Sequence, residues 1–230
     1  LSHGIFVDWN APSISGNAPP VAKLLEATAR LTSAHLSLVA IDMPVATVPI
    51  TGRRAADNRI SETYGKRGCS THSPGIDRPG DLGTALSREF QSSGYTIATA
   101  SDPPGTLDRL IEVYPHPALL SLLRRNARVP YKVSKTRKYW PALSPSERGK
   151  AILTELHAIR DGLQAELGVF ELPLPLISTL TTHRILKRFE DAFDAVVCAW
   201  VGTRYIEKKS LAFGDSTAAI WCPDQQHPTH

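Results

Sequence analysis

The sequence has 230 residues, of which 42% are hydrophobic and 21% charged, and this balance argues against a disordered chain. The formal net charge of +4 permits an anionic partner without requiring one. Three cysteines, Cys69, Cys198 and Cys222, lack a C-x-x-C spacing, which argues against a disulfide framework or a zinc site. Because so few cysteines favour a reducing compartment, we expect a cytoplasmic protein.

The chain has no apolar run of about 18 residues, so we expect no membrane span, and it has no basic-then-apolar leader. It begins at Leu1 and its only methionine is Met43, so we expect an initiator methionine further upstream. This length suffices for one substantial core. We therefore predict a single domain over 1–230, with an inserted helical and loop region around 46–106 that is rich in Gly, Pro, Ser and Thr.

The first half of the chain predicts strands that alternate with helices. A short apolar run at 4–9 predicts a strand, and 20–32 has helical periodicity with a proline at its start, where the missing N–H costs little. The run 36–45 is continuously apolar and contains Asp42 near its end, which predicts a strand buried on both faces and therefore central. Two helices follow, at 53–65 and 81–94.

The second half repeats this order. The apolar stretch 109–117 predicts a second strand with an embedded acid, Glu112, followed by prolines. Helices are predicted at 117–125, 144–167 and 183–206, and the tail 211–223 predicts a last edge strand. Strands that alternate with helices are typical of an α/β fold.

The helix predicted at 183–206 combines an apolar face with acidic residues. Asp191 and Asp194 are three residues apart, and Glu190 and Asp194 are four apart, so on a helix their like charges are neighbours. This arrangement is unfavourable unless solvent dilutes the charges or a cation binds between them.

Two further acids lie in or directly after strands, Asp42 in the first and Glu112 in the second. In open α/β sheets, binding sites gather at the carboxyl ends of the strands. Carboxylates brought together there raise one another's pKa, and a divalent cation such as Mg²⁺ relieves the repulsion. Each acid also has an ordinary explanation: Asp42 as a turn or cap residue, Glu112 as the partner of an arginine, and Glu190 as a solvated acid.

Six segments, in the same order along about 40–223, are similar to motifs of the DUF429 family of predicted RNase H-like nucleases: AIDMPV, RRAADNRIS, IEVYPHPAL, YKVSKTRKYW, FEDAFDAVVCAWVGTRY and GDSTAAIWCP. The resemblance implies an RNase H-like α/β fold, with a central mixed sheet flanked by helices. It also implies Mg²⁺ or Mn²⁺ ions bound by four residues that act as both metal ligands and catalytic residues, namely Asp42, Glu112, Asp191 and Asp194.

The N-terminal region departs from that pattern. RNase H-like folds start with an acid-bearing strand and a β-hairpin before the first helix, whereas here only 4–9 precedes the helix at 20–32. Asp8 is one candidate for the first acid. The preferred interpretation is that 4–9 is the third strand, and that the N-terminal strand or strands before it lie upstream of this numbering.

Basic residues near the acids are candidates for substrate binding. The segment 124–138 contains seven basic residues and no acid, and such a stripe can neutralise a phosphate backbone or be merely solvated. Lys132 and Lys135 match the family's position after the Glu strand. The neighbouring aromatic residues could stack on exposed bases: Tyr131, Tyr139 and Trp140.

Four other residues are weighed for substrate binding. Arg53, Arg54 and Asp57 near a helix start could hold a substrate phosphate, or form an ordinary helix-surface pair. His116 follows Glu112 by four residues, so it could donate to a phosphate or act as a general acid. A lone histidine is more often a structural residue.

These features favour a divalent-metal-dependent nuclease that hydrolyses phosphodiester bonds of nucleic acid, with DNA and RNA left open. One alternative is a nucleic-acid-binding module without catalysis. Another is a Mg²⁺-dependent hydrolase of a small phosphorylated metabolite. The sequence lacks the G-x-x-x-x-G-K-[ST], G-x-S-x-G and H-E-x-x-H motifs, so a P-loop, a serine-hydrolase elbow and a zincin helix find no support.

Overall fold

The computed structural model describes residues 20–32, 34–75, 81–178 and 181–224. The predicted strand at 4–9 and Asp8 lie outside these residues. The described α-helices are α1 (Val21–Thr32), α2 (Ala55–Tyr64), α3 (Asp81–Ser92), α4 (Pro115–Leu122), α5 (Thr136–Tyr139), α6 (Pro145–Leu167) and α7 (His183–Ile206). The described strands are β1 (Leu38–Ile41), β2 (Thr96–Ile97), β3 (Arg109–Val113), β4 (Ser210–Gly214) and β5 (Ala219–Pro223).

The described strands form one mixed sheet with the order β1–β3–β5–β4, and β2 also pairs with β3. Strands β1, β2 and β5 run parallel to β3, and β4 runs antiparallel to β5. This sheet and its flanking helices confirm the prediction of an α/β fold with a central mixed sheet.

Side chains along the sheet alternate between its two faces, as the strand period of two requires. On one face, Ile111 and Trp221 belong to the largest core, which α6 and α7 cover. On the other face, Leu110 packs with residues of α1 and α3, and Ile220 packs against α2. Helix α7 approaches β1 closely at Gly202, where an added Cβ would lie 3.3 Å from Leu38 Cδ2.

The carboxyl ends of β1 and β3 meet at one edge of the sheet. The parallel register pairs Ile41 with Glu112. Asp42 comes directly after Ile41, so it lies one position further along than Glu112 at the same end of the sheet. Strand β1 ends here because Pro44, which has no N–H to donate, soon follows. The fold thus brings together two acids that are 70 positions apart in the sequence.

Several elements differ from the sequence-based prediction. The tail forms a hairpin in place of a single edge strand, with β5 inside the sheet beside β3 and β4 at the edge. The short strand β2 was not predicted. Among the described strands, β1 pairs only with β3, so β3 occupies the central position that was expected for 36–45.

Within the described residues, no helix has both the length and the apolar character needed to cross a membrane.

Candidate active site at the carboxyl ends of β1 and β3

A cleft with a volume of about 390 Å³ opens at the carboxyl ends of β1 and β3. Most of its wall comes from the turn after β1, the stretch from Glu112 to His116, the loop 71–74 and the segment 128–135, and Asp57 and Ile220 complete it. Such a position, where parallel strands end, is the usual location of binding sites in open α/β sheets. Both acidic and basic side chains line the cleft.

Asp42 lies in this cleft, and its side chain is exposed to solvent. Among the described residues, its carboxylate has no hydrogen-bond or ion-pair partner. Surrounding protein atoms partly desolvate the group although water reaches it, and this desolvation, together with the nearby charge of Asp194, raises its pKa to about 7. Lys132 opposes the rise, and Glu112 adds to it. Asp42 is therefore a carboxylate in a negative environment.

Glu112 is buried on β3 and is bound by an arginine. Arg54 donates two hydrogen bonds to its carboxylate, from Nη1 to Oε2 at 2.6 Å and from Nη2 to Oε1 at 2.7 Å. The N–H of Val45 donates a third, at 2.9 Å. Burial raises the pKa of Glu112, and the guanidinium opposes this rise. We regard the pair as ionised because the guanidinium pairs with both carboxylate oxygens.

Asp57 completes this buried network. Arg54 donates from Nε to Asp57 Oδ2 at 3.0 Å and from Nη1 to the carbonyl of Val45 at 2.8 Å. Desolvation alone would lower the pKa of Arg54, but Glu112 and Asp57 outweigh it and raise the pKa. The network fastens the start of α2 to β3 and to the turn after β1. The predicted metal role of Glu112 and the predicted substrate roles of Arg54 and Asp57 therefore compete with contacts that these residues already make.

Arg53 lies outside the cleft lining. Its guanidinium donates to Asn58 Oδ1 at 2.6 Å, to Ser61 Oγ at 2.6 Å and to the carbonyl of Asp57 at 2.9 Å. A longer contact, at 3.4 Å, reaches the carbonyl of Thr71 in the cleft wall. Arg53 therefore contacts the 71–74 loop without lining the cleft. Its role in substrate binding stays a prediction.

Asp194 on α7 is buried next to Asp42 and accepts hydrogen bonds from two neighbours. The hydroxyl of Tyr131 donates to Oδ1 at 2.5 Å, and the ammonium of Lys132 donates to Oδ2. Burial raises the pKa of Asp194, and Lys132 opposes the rise. Lys132 was predicted to bind substrate, and in this structure its ammonium pairs with Asp194, so its role in substrate binding stays a prediction.

The three acids of α7 divide between the two sides of the helix. Glu190 is buried and accepts hydrogen bonds from the N–H of Val133 and from Lys187, each at 2.7 Å. Asp191 is exposed and accepts from Lys187 at 2.6 Å. One carboxylate oxygen from each of Glu190, Asp191 and Asp194 lies within 4.8 Å of the other two. This spacing could hold a metal ion, and lysine ammonium groups neutralise the acids in its absence.

Basic side chains also line the cleft. His116, Arg128 and Lys135 line it together with Lys132. His116 is buried, and burial followed by the charge of Arg128 lowers its pKa well below the usual value, so the imidazole is neutral. Of the basic segment predicted at 124–138, only these three side chains of Arg128, Lys132 and Lys135 reach the cleft.

Asp42 and Asp194 lie near each other and could hold a hard divalent cation, for which Lys132 would have to release Asp194. Both offer carboxylate oxygens, which Mg²⁺ and Mn²⁺ prefer. Burial is the main cause of the raised pKa of Asp42 and the charge of Asp194 is the next, and Asp42 has no competing partner among the described residues. Glu112, by contrast, would have to release Arg54, and Asp191 lies on the exposed side of α7.

Two residues matter more than their sequence context indicated. Tyr131 was expected to stack on exposed bases, but it is fully buried and donates to Asp194. That prediction was wrong for Tyr131, because an aromatic residue beside a lysine can equally turn inward. Arg128 was predicted only as one member of the basic segment. Its place in the cleft depends on the fold of the 124–135 loop, which no local pattern specifies.

The comparisons with known proteins give one family. Residues 5–218 match the family described as "Protein of unknown function (DUF429)", which covers most of the chain. No curated protein and no solved structure matches the sequence.

Proposed function

The chain belongs to the DUF429 family, and we propose that it is a divalent-metal-dependent nuclease that hydrolyses phosphodiester bonds of DNA or RNA in the cleft. The proposal rests mainly on Asp42. This carboxylate is open to the cleft and lies near Asp194 and Glu112, and its pKa is about 7 because burial, followed by the charge of Asp194, disfavours the ionised form. A hard dication is the ligand that best relieves this repulsion.

In this proposal Asp42 and Asp194 hold the ion, and Glu190 lies close enough to Asp194 to join them. Bound there, Mg²⁺ or Mn²⁺ would stabilise the negative charge that develops on the phosphate oxygens during hydrolysis. Near pH 7 part of the Asp42 population is protonated, so binding of the ion displaces a proton from this carboxyl.

Lys132 has a second role in the same scheme. Its ammonium neutralises Asp194 when no metal is bound. Once a cation takes over that task, the ammonium remains beside the cleft and can pair with a phosphate oxygen of the substrate. Lys135 lines the same wall and adds positive charge for the nucleic-acid backbone.

We also propose that the fold is RNase H-like. The mixed sheet flanked by helices supports this, as does the placement of Asp42 and Glu112 at the ends of adjacent parallel strands. Helix α7, with its acids beside the same strand ends, corresponds to the final helix expected for that fold.

A small phosphorylated metabolite is the second candidate substrate. The observation in its favour is the size of the cleft, since about 390 Å³ is within the range of pockets that enclose small ligands. A panel of oligonucleotides, mononucleotides and sugar phosphates separates the two candidates. Cleavage of oligonucleotides supports the nuclease, and turnover restricted to small phosphate esters replaces it with the metabolite hydrolase.

The direct test is cleavage of labelled single-stranded and duplex oligonucleotides with Mg²⁺ or Mn²⁺. We expect Asp42→Asn to lower the divalent-dependent rate at least 100-fold, because the amide is a far weaker ligand for a hard cation. The matched control is Asp161→Asn, which removes an exposed acid from α6. It should cleave like the wild type. Equal rates for Asp42→Asn and the wild type would contradict the proposal.

A further inference from the structure

The guanidinium of Arg128 has no carboxylate partner among the described residues, although it lies at the inner wall of the cleft. Its Nη1 donates to the carbonyl of Gly68 at 3.3 Å, and its Nη2 contacts Nε2 of His116. Its Nε is buried and has no acceptor among the described residues. A half-buried guanidinium with an unused donor and no counter-ion is unusual, because burying charge without a partner is costly.

His116 shows the same deficit of acceptors. Its Nε2 faces a guanidinium N–H, so Nε2 must accept and the proton of the neutral ring must lie on Nδ1. Nδ1 is buried and has no partner among the described residues, and the side chain is only 3% exposed. Burial and the neighbouring cations, Arg128 first among them, keep this ring neutral by lowering its pKa.

The neighbours of this pair include the hydroxyls of Tyr114 and Tyr139, and no described carboxylate forms an ion pair with Arg128. The hydroxyl of Tyr139 is buried, makes no hydrogen bond of good geometry among the described residues, and lies close enough to Arg128 for the guanidinium to lower its pKa. Burial raises the pKa of Tyr139 and raises that of Tyr114 to about 12, and the charge of Arg128 opposes both shifts. Lys132 and Lys135 add positive charge near His116. This corner therefore has several donors and an excess of positive charge.

We propose that Arg128, supported by His116, forms an anion site that binds a phosphate group of the substrate. Phosphate fits because it supplies several strong acceptor oxygens and negative charge, which are the two things that the corner lacks, and because guanidinium binds phosphate with two parallel hydrogen bonds. The site lies in the same cleft as Asp42 but uses different residues. As an account of substrate binding it rests on the proposed function, whereas the anion site itself does not depend on a metal.

The probe is inorganic phosphate, titrated calorimetrically into the full chain in EDTA, so that no divalent cation takes part. We expect the wild type to bind phosphate and Arg128→Gln to bind it at least 10-fold more weakly. Arg128→Lys keeps the charge but loses the planar fork, so its affinity should lie between the two. The matched control is Arg59→Gln, an exposed arginine on α2, which should bind like the wild type.

Thermal unfolding of each variant establishes that it is folded before the titrations are compared. Absence of phosphate binding by the wild type, or equal affinity of folded Arg128→Gln, would overturn the inference. Asp42→Asn should keep its affinity for phosphate in EDTA. If the proposed metal site is wrong and the anion site is right, the protein therefore binds phosphate but shows no divalent-dependent cleavage.

A competition experiment connects the site with nucleic acid. We expect saturating phosphate to displace a single-stranded oligonucleotide from the wild type in EDTA at constant ionic strength, and not from Arg128→Gln. Larger displacement of a 5′-phosphorylated strand than of a 5′-hydroxyl strand identifies the bound group as a terminal phosphate. Equal displacement of the two strands identifies it as a backbone phosphate. Oligonucleotide binding that is indifferent to phosphate would contradict a substrate role for the site.

Discussion

Asp42 and Glu112 lie at the carboxyl ends of the adjacent strands β1 and β3, but they differ in exposure and in their charged partners. Glu112 is enclosed and has a dedicated cation in Arg54. Asp42 is open to the cleft and forms no ion pair among the described residues, although the charges of Lys132 and Lys187 lower its pKa. Glu112 therefore stabilises the structure of the site, whereas the Asp42 carboxylate is available to bind a ligand.

The raised pKa of Asp42 predicts a specific dependence of stability on pH. Its pKa is about 7 in the folded state and 3.8 in the absence of the fold, so between these values the folded state holds a proton that the unfolded state has lost. The free energy of unfolding therefore falls as the pH rises through this window. Asp42→Asn removes the titration, and we expect the variant to gain on the order of 1 kcal/mol over the wild type between pH 4 and pH 8, a modest amount because water screens the exposed carboxyl.

Urea unfolding of both proteins in EDTA at pH 4, 6 and 8 measures this difference. Asp161→Asn, on the exposed surface of α6, serves as the control and should show no such trend. A constant difference between Asp42→Asn and the wild type at the three pH values would mean that Asp42 is not destabilised by its neighbours.

The buried pair Arg54–Glu112 predicts a large loss of stability when its charge is removed. Glu112→Gln keeps the shape of the side chain but leaves Arg54 without its main counter-charge, and we expect it to lower the free energy of unfolding by about 3 kcal/mol. The control is Glu26→Gln, which breaks the exposed pair with Arg30 on α1 and should cost less than about 0.5 kcal/mol. Similar losses in the two variants, measured by denaturant unfolding, would contradict the structural role of Glu112.

At the residue scale, the sequence allowed the acids to be found but not their partners. An acid within an apolar strand had to have a partner, and an arginine was one of the alternatives considered for Glu112. The sequence could not show that the arginine was Arg54, because this pairing depends on how the start of α2 packs onto β3. The burial of Tyr131 escaped prediction for the same reason.

Local sequence features determine where helices α6 and α7 begin and end. Helix α6 begins with a capping box in which Ser144 accepts from the N–H of Glu147 and Glu147 accepts from the N–H of Ser144, with Pro145 in the first turn. The bounds of α7 coincide with the predicted 183–206 because its apolar period is continuous and Thr182 caps its start. Strand β2, only two residues long, offered no such pattern.

The capping box of α6 predicts how much its Ser144 contributes to the stability of the protein. Ser144→Ala should lower the free energy of unfolding by about 1 kcal/mol, because it leaves an N–H of the first turn without its acceptor. Ser146→Ala lies in the same turn, is exposed, and makes no described side-chain hydrogen bond, so it should change stability by less than about 0.5 kcal/mol. Chemical denaturation of both variants tests the difference, and equal effects would show that the cap does not stabilise the helix.

For the molecule as a whole, the fold brings distant positions together in one cleft that acidic and basic side chains line. Strand order could be predicted only in part, since the alternation of strands and helices indicated an α/β sheet but could not place β5 between β3 and β4. The single-domain organisation over 1–230 stays a prediction. Acids from β1 and α7 meet because the helix packs against that strand, with Gly202 permitting the close approach.

The central claim is that Asp42 and Asp194 bind one divalent cation. Anomalous diffraction from crystals of the wild type soaked in Mn²⁺ tests it most directly. We expect a peak at coordination distance, about 2.0–2.3 Å, from oxygens of both Asp42 and Asp194, with Lys132 moved away from Asp194. An absence of manganese there, with Lys132 still bound to Asp194, would contradict it.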